Sequence, residues 1–329
     1  MKNISLVIRT FNSERYIPGI FAYLGHLKTP PNLECEIVFI DNNSQDKTVA
    51  EIKKYVDSSK LPTPIDVVLE SQQGALFTRL RGFSRDAHLI AFADADIVLD
   101  EDWLIEAIAF GENYKNAGAW VSRTTAIYEG APPQGIEGVG KFIGLLDLGE
   151  ETYQYETNVL PGGCACVYRK AAVSKLDSSK FMVLGPQGRS IKSKGEDIEQ
   201  FIHIKKRGWE IWYNPKMRAS HYLSLDRLQK DYLLSLTHSI GNSRFFLRQA
   251  RYGKILFYFL FPALVLSDFK KWVSCIVKFK KKDKSDIGKE CDKKYLEATF
   301  WGNFANLFKK TQTPPCRPKS EKKQSNSPS

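Results

Sequence analysis

Apolar residues recur along the first hundred positions in short blocks: ISLVIR at 4–9, CEIVFI at 35–40, IDVVL at 65–69 and HLIAFA at 88–93. The blocks are partly β-branched, and a helix-length amphipathic segment separates each from the next, which predicts four strands with helices between them. Helices are expected near 13–26, 45–58, 75–86 and 102–113, with Asn43 or Ser44 capping the second and Asp100 or Glu101 the fourth. This alternation builds βαβ units and a mostly parallel sheet. Ligands of open α/β sheets gather beyond the carboxyl ends of the strands. Polar clusters stand at those ends: Thr10 to Asn12, Asp41 to Asp46, and Asp94 to Asp96.

Beyond Trp120 the pattern turns irregular, with a Gly- and Pro-containing stretch at 128–140. A strand is expected at CACVY (164–168), a helix at 170–176, a loop at 185–195, a helix at 196–207 and a strand at WEIWY (209–213). Residues 224–250 predict one long amphipathic helix. An apolar run of 13 follows at 255–267, interrupted by Pro262, and a second runs from Trp272 to Phe279. A membrane span needs about 20 residues, so neither run is expected to cross a bilayer. Two readings stand for this region: in-plane attachment to a membrane surface, or a buried C-terminal helix. The final residues, rich in Pro, Ser and Lys, are expected to be disordered. The resulting division is a catalytic domain over 1–222 (a nucleotide half, 1–100, and an acceptor half, 101–222), a helical, membrane-associating region over 223–280, and a basic, largely disordered tail over 281–329.

Charge changes the picture only at the end of the chain. The net charge of +11 over 329 residues is concentrated in residues 268–329, with 16 Lys and Arg against 7 Asp and Glu. The body is close to neutral, which argues against a nucleic-acid partner, whose footprint should cover the fold. A basic segment after an apolar run suits an anionic membrane surface better. The six cysteines form no CxxC pair and no zinc spacing, which fits a reducing compartment. Arg9 interrupts the first apolar stretch, so that stretch reads as a buried strand rather than a signal peptide. The expected location is cytoplasmic, peripheral on the cytoplasmic face of the inner membrane.

The strongest local chemistry lies in HLIAFADADIVLDEDW, where a buried strand ends in Asp94-Ala95-Asp96. Two carboxylates one residue apart at a strand end can offer hard oxygen ligands to Mg²⁺ or Mn²⁺, which neutralises a diphosphate leaving group. Acidic pairs in such places also simply close turns.

Taken in order, VIRTFN, IDNNSQDKT, GALFTRLRG, FADAD, PGGCACVYRK and GEDIEQFIHIKKRGWEIWYNP ahead of His221 resemble glycosyltransferase family 2, over roughly residues 4–222. The resemblance implies an inverting transferase of GT-A fold: a Rossmann-like α/β mixed sheet with flanking helices, here with a C-terminal helical extension. It implies a divalent metal (Mn²⁺ or Mg²⁺) and a nucleotide-sugar donor, with a glycan or lipid-linked acceptor in polysaccharide or cell-surface glycan synthesis. Thr10, Asn12 and Asp41 match positions that hold the nucleoside, and a carboxylate at Asp41 can accept the imide N–H of uracil. Asp94 matches the aspartate near ribose and metal, Asp96 the direct metal ligand, and His221 a histidine completing the metal or diphosphate site. Arg79 takes a phosphate or nucleotide position, although Thr78 and Leu80 depart from the family's Ala-Arg-Asn triplet. Gly162 and Gly163 would let the backbone approach the sugar or acceptor. Glu196-Asp197 resembles the family's ED motif, whose aspartate is the base that deprotonates the acceptor hydroxyl. A polyprenyl-phosphate acceptor and a non-catalytic nucleotide-sugar-binding or membrane-surface scaffold are the alternatives.

Overall fold

A computed structural model describes residues 2–309 except 32, 60, 158, 189 and 280–284. The expected disorder of the last residues falls on 310–329, outside the described residues.

The first half alternates as its pattern predicts: β1 (Lys2–Thr10), α1 (Ile17–Leu24), β2 (Cys35–Asp41), α2 (Thr48–Ser58), β3 (Ile65–Leu69), α3 (Ala75–Phe83), β4 (Ala87–Asp94), β5 (Ile97–Leu99) and α4 (Trp103–Asn113). β1 is central, parallel to β2 on one edge and to β4 on the other, with β3 parallel to β2 outside them. Buried on both faces, β1, β2 and β4 sort their side chains with period two, while β3 on the edge is half-exposed. Ile4, Leu6 and Ile8 face a core shared with α1 and α4, together with Ile37, Phe39, Leu89 and Ala91. Val7, Val38, Ile40, Ile90 and Phe92 face a second core on the other side.

The caps differ from expectation. Neither Asn43 nor Ser44 caps α2; Asp46 Oδ1 accepts the Thr48 N–H at 3.0 Å, and Ser44 is drawn to Asp41 instead. α4 begins after Asp102 with no side-chain cap.

Trp120 does not end the regular pattern. It lies inside the twelve-residue β6 (Ala117–Tyr128), which pairs antiparallel with β8 (Ala165–Arg169) and parallel with β9 (Glu210–Leu223). Polar residues hide this strand in the sequence, yet they alternate: Ser122 accepts the Trp103 indole N–H at 2.8 Å and Thr124 is buried, while Arg123 turns out to Asp147 and Glu150. β9 likewise continues well past WEIWY. It runs through Pro215 by way of a register break between Asn214 and Arg218, and so carries His221 on a strand. β7 (Tyr153–Gln154) and β5 pair along the other edge of β9. The sheet order is β3-β2-β1-β4-β8-β6-β9-β5, with β8 joined antiparallel to β4: a mixed sheet, flanked by helices that include α5 (Lys170–Val173) and α6 (Glu196–Lys205).

The C-terminal region is three helices: α7 (Lys230–Tyr252), α8 (Lys254–Lys278) and α9 (Ile287–Leu307). The helix expected over 224–250 is preceded by a separate short turn, Leu225–Leu228. Pro262 does not break α8; it lies on the exposed side, where loss of a backbone donor is tolerated. Residues 287–307, expected from the sequence to belong to a largely disordered basic tail, instead fold as α9 against α7, because Ile287, Cys291, Ala298 and Asn303 give them a buried face. The pair is close enough that a Cβ on Gly241 would stand 2.5 Å from the Tyr295 carbonyl oxygen. A buried polar knot joins all three helices: Arg248 donates to both oxygens of Asp268 at 2.5 and 2.6 Å, and Asn303 Nδ2 adds a third bond at 2.9 Å.

Candidate active site

At the ends of β1 and β2, Asp41 organises a turn. Thr10 Oγ1 donates to Asp41 Oδ1 at 3.0 Å, and the Ser44 hydroxyl and N–H bind its two oxygens at 2.5 and 2.9 Å. Asn12, held at a positive φ of 48°, accepts from the Gln45 N–H at 2.8 Å. Three of the four lone-pair positions of Asp41 are thereby used, and the residue is 1% exposed.

One strand over, Asp94 Oδ1 accepts Nε of Arg9 at 2.9 Å and also the Arg9 Nη2. Asp96, two residues on, is 6% exposed. Its Oδ2 lies 2.6 Å from Nη1 of Arg227 and 3.4 Å from Nε2 of His221. β9 places His221 there by pairing it with Ile97 of β5. The His221 Nδ1 is buried without a hydrogen-bond partner among the described residues. Burial pushes the Asp96 carboxyl up, but the Arg227 guanidinium and then His221 pull harder, holding it well below the usual carboxylate range. Asp96, in turn, raises Arg227.

Glu196 and Asp197 open α6, where the backbone dipoles favour carboxylates. Asp197 Oδ2 accepts the Gly163 N–H at 2.6 Å, and Oδ1 accepts the Ile198 N–H at 2.8 Å. Only a glycine leaves room for this approach without adjustment, since a Cβ on Gly163 would lie 3.3 Å from that of Asp197. Where the sequence reading puts Arg79 on phosphate or nucleotide, the structure sets its guanidinium beneath the glycine pair. It is 1% exposed and donates to the Gly163 carbonyl and, at 3.2 Å, to the Tyr168 hydroxyl. Burial, then the Asp197 charge, push Glu196 above the ordinary carboxylate range, against Arg9 and Arg79.

These groups face one cleft of 960 Å³. Arg9, Thr10, Asn12, Arg79, Asp94, Asp96, Gly162, Gly163, Glu196, Asp197, His221 and Arg227 line it, and Asp41 stands behind. Arg9 and Arg227 were not singled out from sequence. A cation inside a buried strand was a usable signal for Arg9; Arg227, in the turn after β9, carried none. Nη1 of Arg227 contacts both Asp96 Oδ2, at 2.6 Å, and His221 Nε2, at 3.2 Å. Among the described residues no group of three or more His, Cys, Asp or Glu side chains is set to hold a metal.

Comparison with known proteins adds the following. The model of the family described as "Glycosyl transferase family 2" matches residues 5–176. No curated protein sequence matches the chain. Among solved structures, TarS 1–349 of S. aureus is 14% identical, with a TM-score of 0.49 over 93% of this chain and 91% of that one. The same protein in complex with UDP-GlcNAc is 15% identical, with a TM-score of 0.48 over the same shares.

Proposed function

This chain belongs to glycosyl transferase family 2 and is a glycosyltransferase of GT-A fold; on that premise, we propose that its cleft moves a sugar, with inversion, from a nucleotide-diphosphate donor to an acceptor hydroxyl. The donor in this reading is a UDP-sugar, its nucleoside resting on Thr10 and Asn12, with Asp41 fixing that turn from behind through Thr10 and Ser44. The acceptor is a glycan or lipid-linked sugar of cell-surface polysaccharide synthesis, handled on the cytoplasmic face.

One observation carries the proposal: Asp197 is held at the start of α6 by two backbone N–H groups, one on each oxygen, and still faces the cleft. A carboxylate fixed in this way keeps lone pairs for an acceptor hydroxyl and takes its proton as the oxygen attacks the anomeric carbon. Arg9 and Arg227 bring positive charge to the Asp94–Asp96 end, where the departing diphosphate needs it.

A divalent ion supplies Lewis-acid neutralisation of that leaving group. The residues fit such an ion as a partial site. Asp96 and His221 would hold it, an oxygen and nitrogen pair that suits Mn²⁺ better than Mg²⁺. Arg227, beside both residues, would add its own positive charge where the diphosphate departs. A lipid-linked acceptor is favoured over a free sugar because α7 brings Leu236, Ile240 and Leu247 to the cleft wall.

Calorimetry of UDP-, GDP- and dTDP-sugars with Mn²⁺ tests the donor half. One donor should bind the wild type, and Asp96→Ala should weaken it at least about tenfold, the scale of one lost charge-assisted contact. Failure of every donor to bind in the presence of metal would leave the scaffold reading in its place.

A further inference from the structure

α8 turns its apolar side outward. Ile255, Phe259, Pro262, Leu266 and Val277 recur at spacings that keep them on one helical stripe, and Ile255, Phe259 and Val277 are 91%, 80% and 78% exposed. The opposite side is the one that packs: Phe257 is fully buried, 5.0 Å from Phe245 of α7, and Trp272 stacks on Phe300 of α9 at 5.1 Å. Trp301, Phe304 and Phe308 of the neighbouring helix end are exposed as well. A helix of 25 residues carries this stripe for roughly 37 Å, yet no helix among the described residues is long and apolar enough to cross a membrane.

Charge identifies the occupant. Lys254, Lys270, Lys271 and Lys278 are exposed on α8 itself, and the sequence from 278 to 284 holds five lysines against one aspartate. Protein–protein interface cores are depleted in lysine, whereas an apolar stripe rimmed by lysines and aromatic rings is what an anionic lipid surface binds. We propose that α8, with the exposed end of α9, is an in-plane docking surface for a bilayer of anionic lipids. α7 joins this surface to the chemistry, since it lines the cleft with Ile240 and Leu247 and seats α8 through Phe245. A glycan carried on a lipid would then be met with a single helix between cleft and membrane.

Vesicle flotation of the full chain tests this independently of any sugar transfer, so its result is separable from the reading of the cleft. The wild type should float with vesicles of equimolar phosphatidylcholine and phosphatidylglycerol, far less with phosphatidylcholine alone, and less as salt rises. Phe259→Glu should weaken partition at least roughly tenfold through lost apolar burial. Lys270→Glu with Lys271→Glu should weaken it about fivefold per lysine. All these positions are exposed, and melting temperatures should stay at the wild-type value. Absence of flotation, or equal flotation of wild type and all variants, overturns the proposal. So does a lipid-free dimer that Phe259→Glu dissociates without any vesicle binding, which would make the stripe a contact between copies of the chain.

Discussion

Arg79 directs its two terminal guanidinium nitrogens to the Gly163 carbonyl and the Tyr168 hydroxyl, while the Gly163 N–H grips Asp197. Its effect on chemistry therefore passes through the glycine turn. Arg79→Met should leave donor affinity near wild type, lower kcat at least about tenfold, and cost about 2–4 kcal/mol through the buried acceptors it strands. Loss of donor affinity with kcat intact would instead favour a direct contact with the nucleotide. Glu196 is a different case. Its folded-state pKa is raised above the ordinary value of 4.5, so the protonated form is the one the fold favours. The stability associated with that form is fully present below pH 4.5 and is lost as pH rises through the folded value. Glu196→Gln imitates the protonated group, so it should melt higher than wild type at neutral pH, with the gap closing on acidification. Thermal melts across pH decide this, and a lower melting temperature at neutral pH would contradict it.

At the level of elements, β1, β2 and β4 were readable because each is buried on both faces, so their apolar runs are nearly continuous, and β3, on the sheet edge and half-exposed, was readable from its β-branched run alone. β6 was not, because Ser122 to Thr125 place polar groups where the strand meets the cleft and the surface by turns. α9 escaped notice for a related reason: Ile287, Cys291, Ala298 and Asn303 form its buried face, but the intervening lysines read as a charged tail. The residues matched to family motifs converge on one cleft because they sit at the ends of neighbouring strands and the start of α6. Arg9 and Arg227 join them through tertiary pairing, which a local pattern does not encode. The α7–α9 contact is equally specific. Gly241→Ala would press a methyl against the Tyr295 carbonyl and the Ala298 side chain, at 2.5 and 2.9 Å before adjustment. Overpacking of this kind costs about 1–3 kcal/mol. The expected outcome is a lower melting temperature with the cleft's ligand affinity preserved, and an unchanged melting temperature would show that the helices separate freely.

For the molecule as a whole, the family match covers 5–176, and Asp197, His221 and Arg227 all lie beyond it, on α6, β9 and the turn that follows. The match thus takes in the first half and most of the second, while the groups proposed as base and diphosphate partners on α6, β9 and the following turn depend on how the remainder of the chain folds back over it. Release of nucleoside diphosphate by wild type and Asp197→Asn, each saturated with donor and acceptor and with donor affinity measured alongside, tests this division most directly. The account predicts that donor affinity survives the substitution while turnover falls by about 10²–10⁴, the range of a lost general base. Turnover within a few-fold of wild type would contradict the assignment of Asp197 as the base.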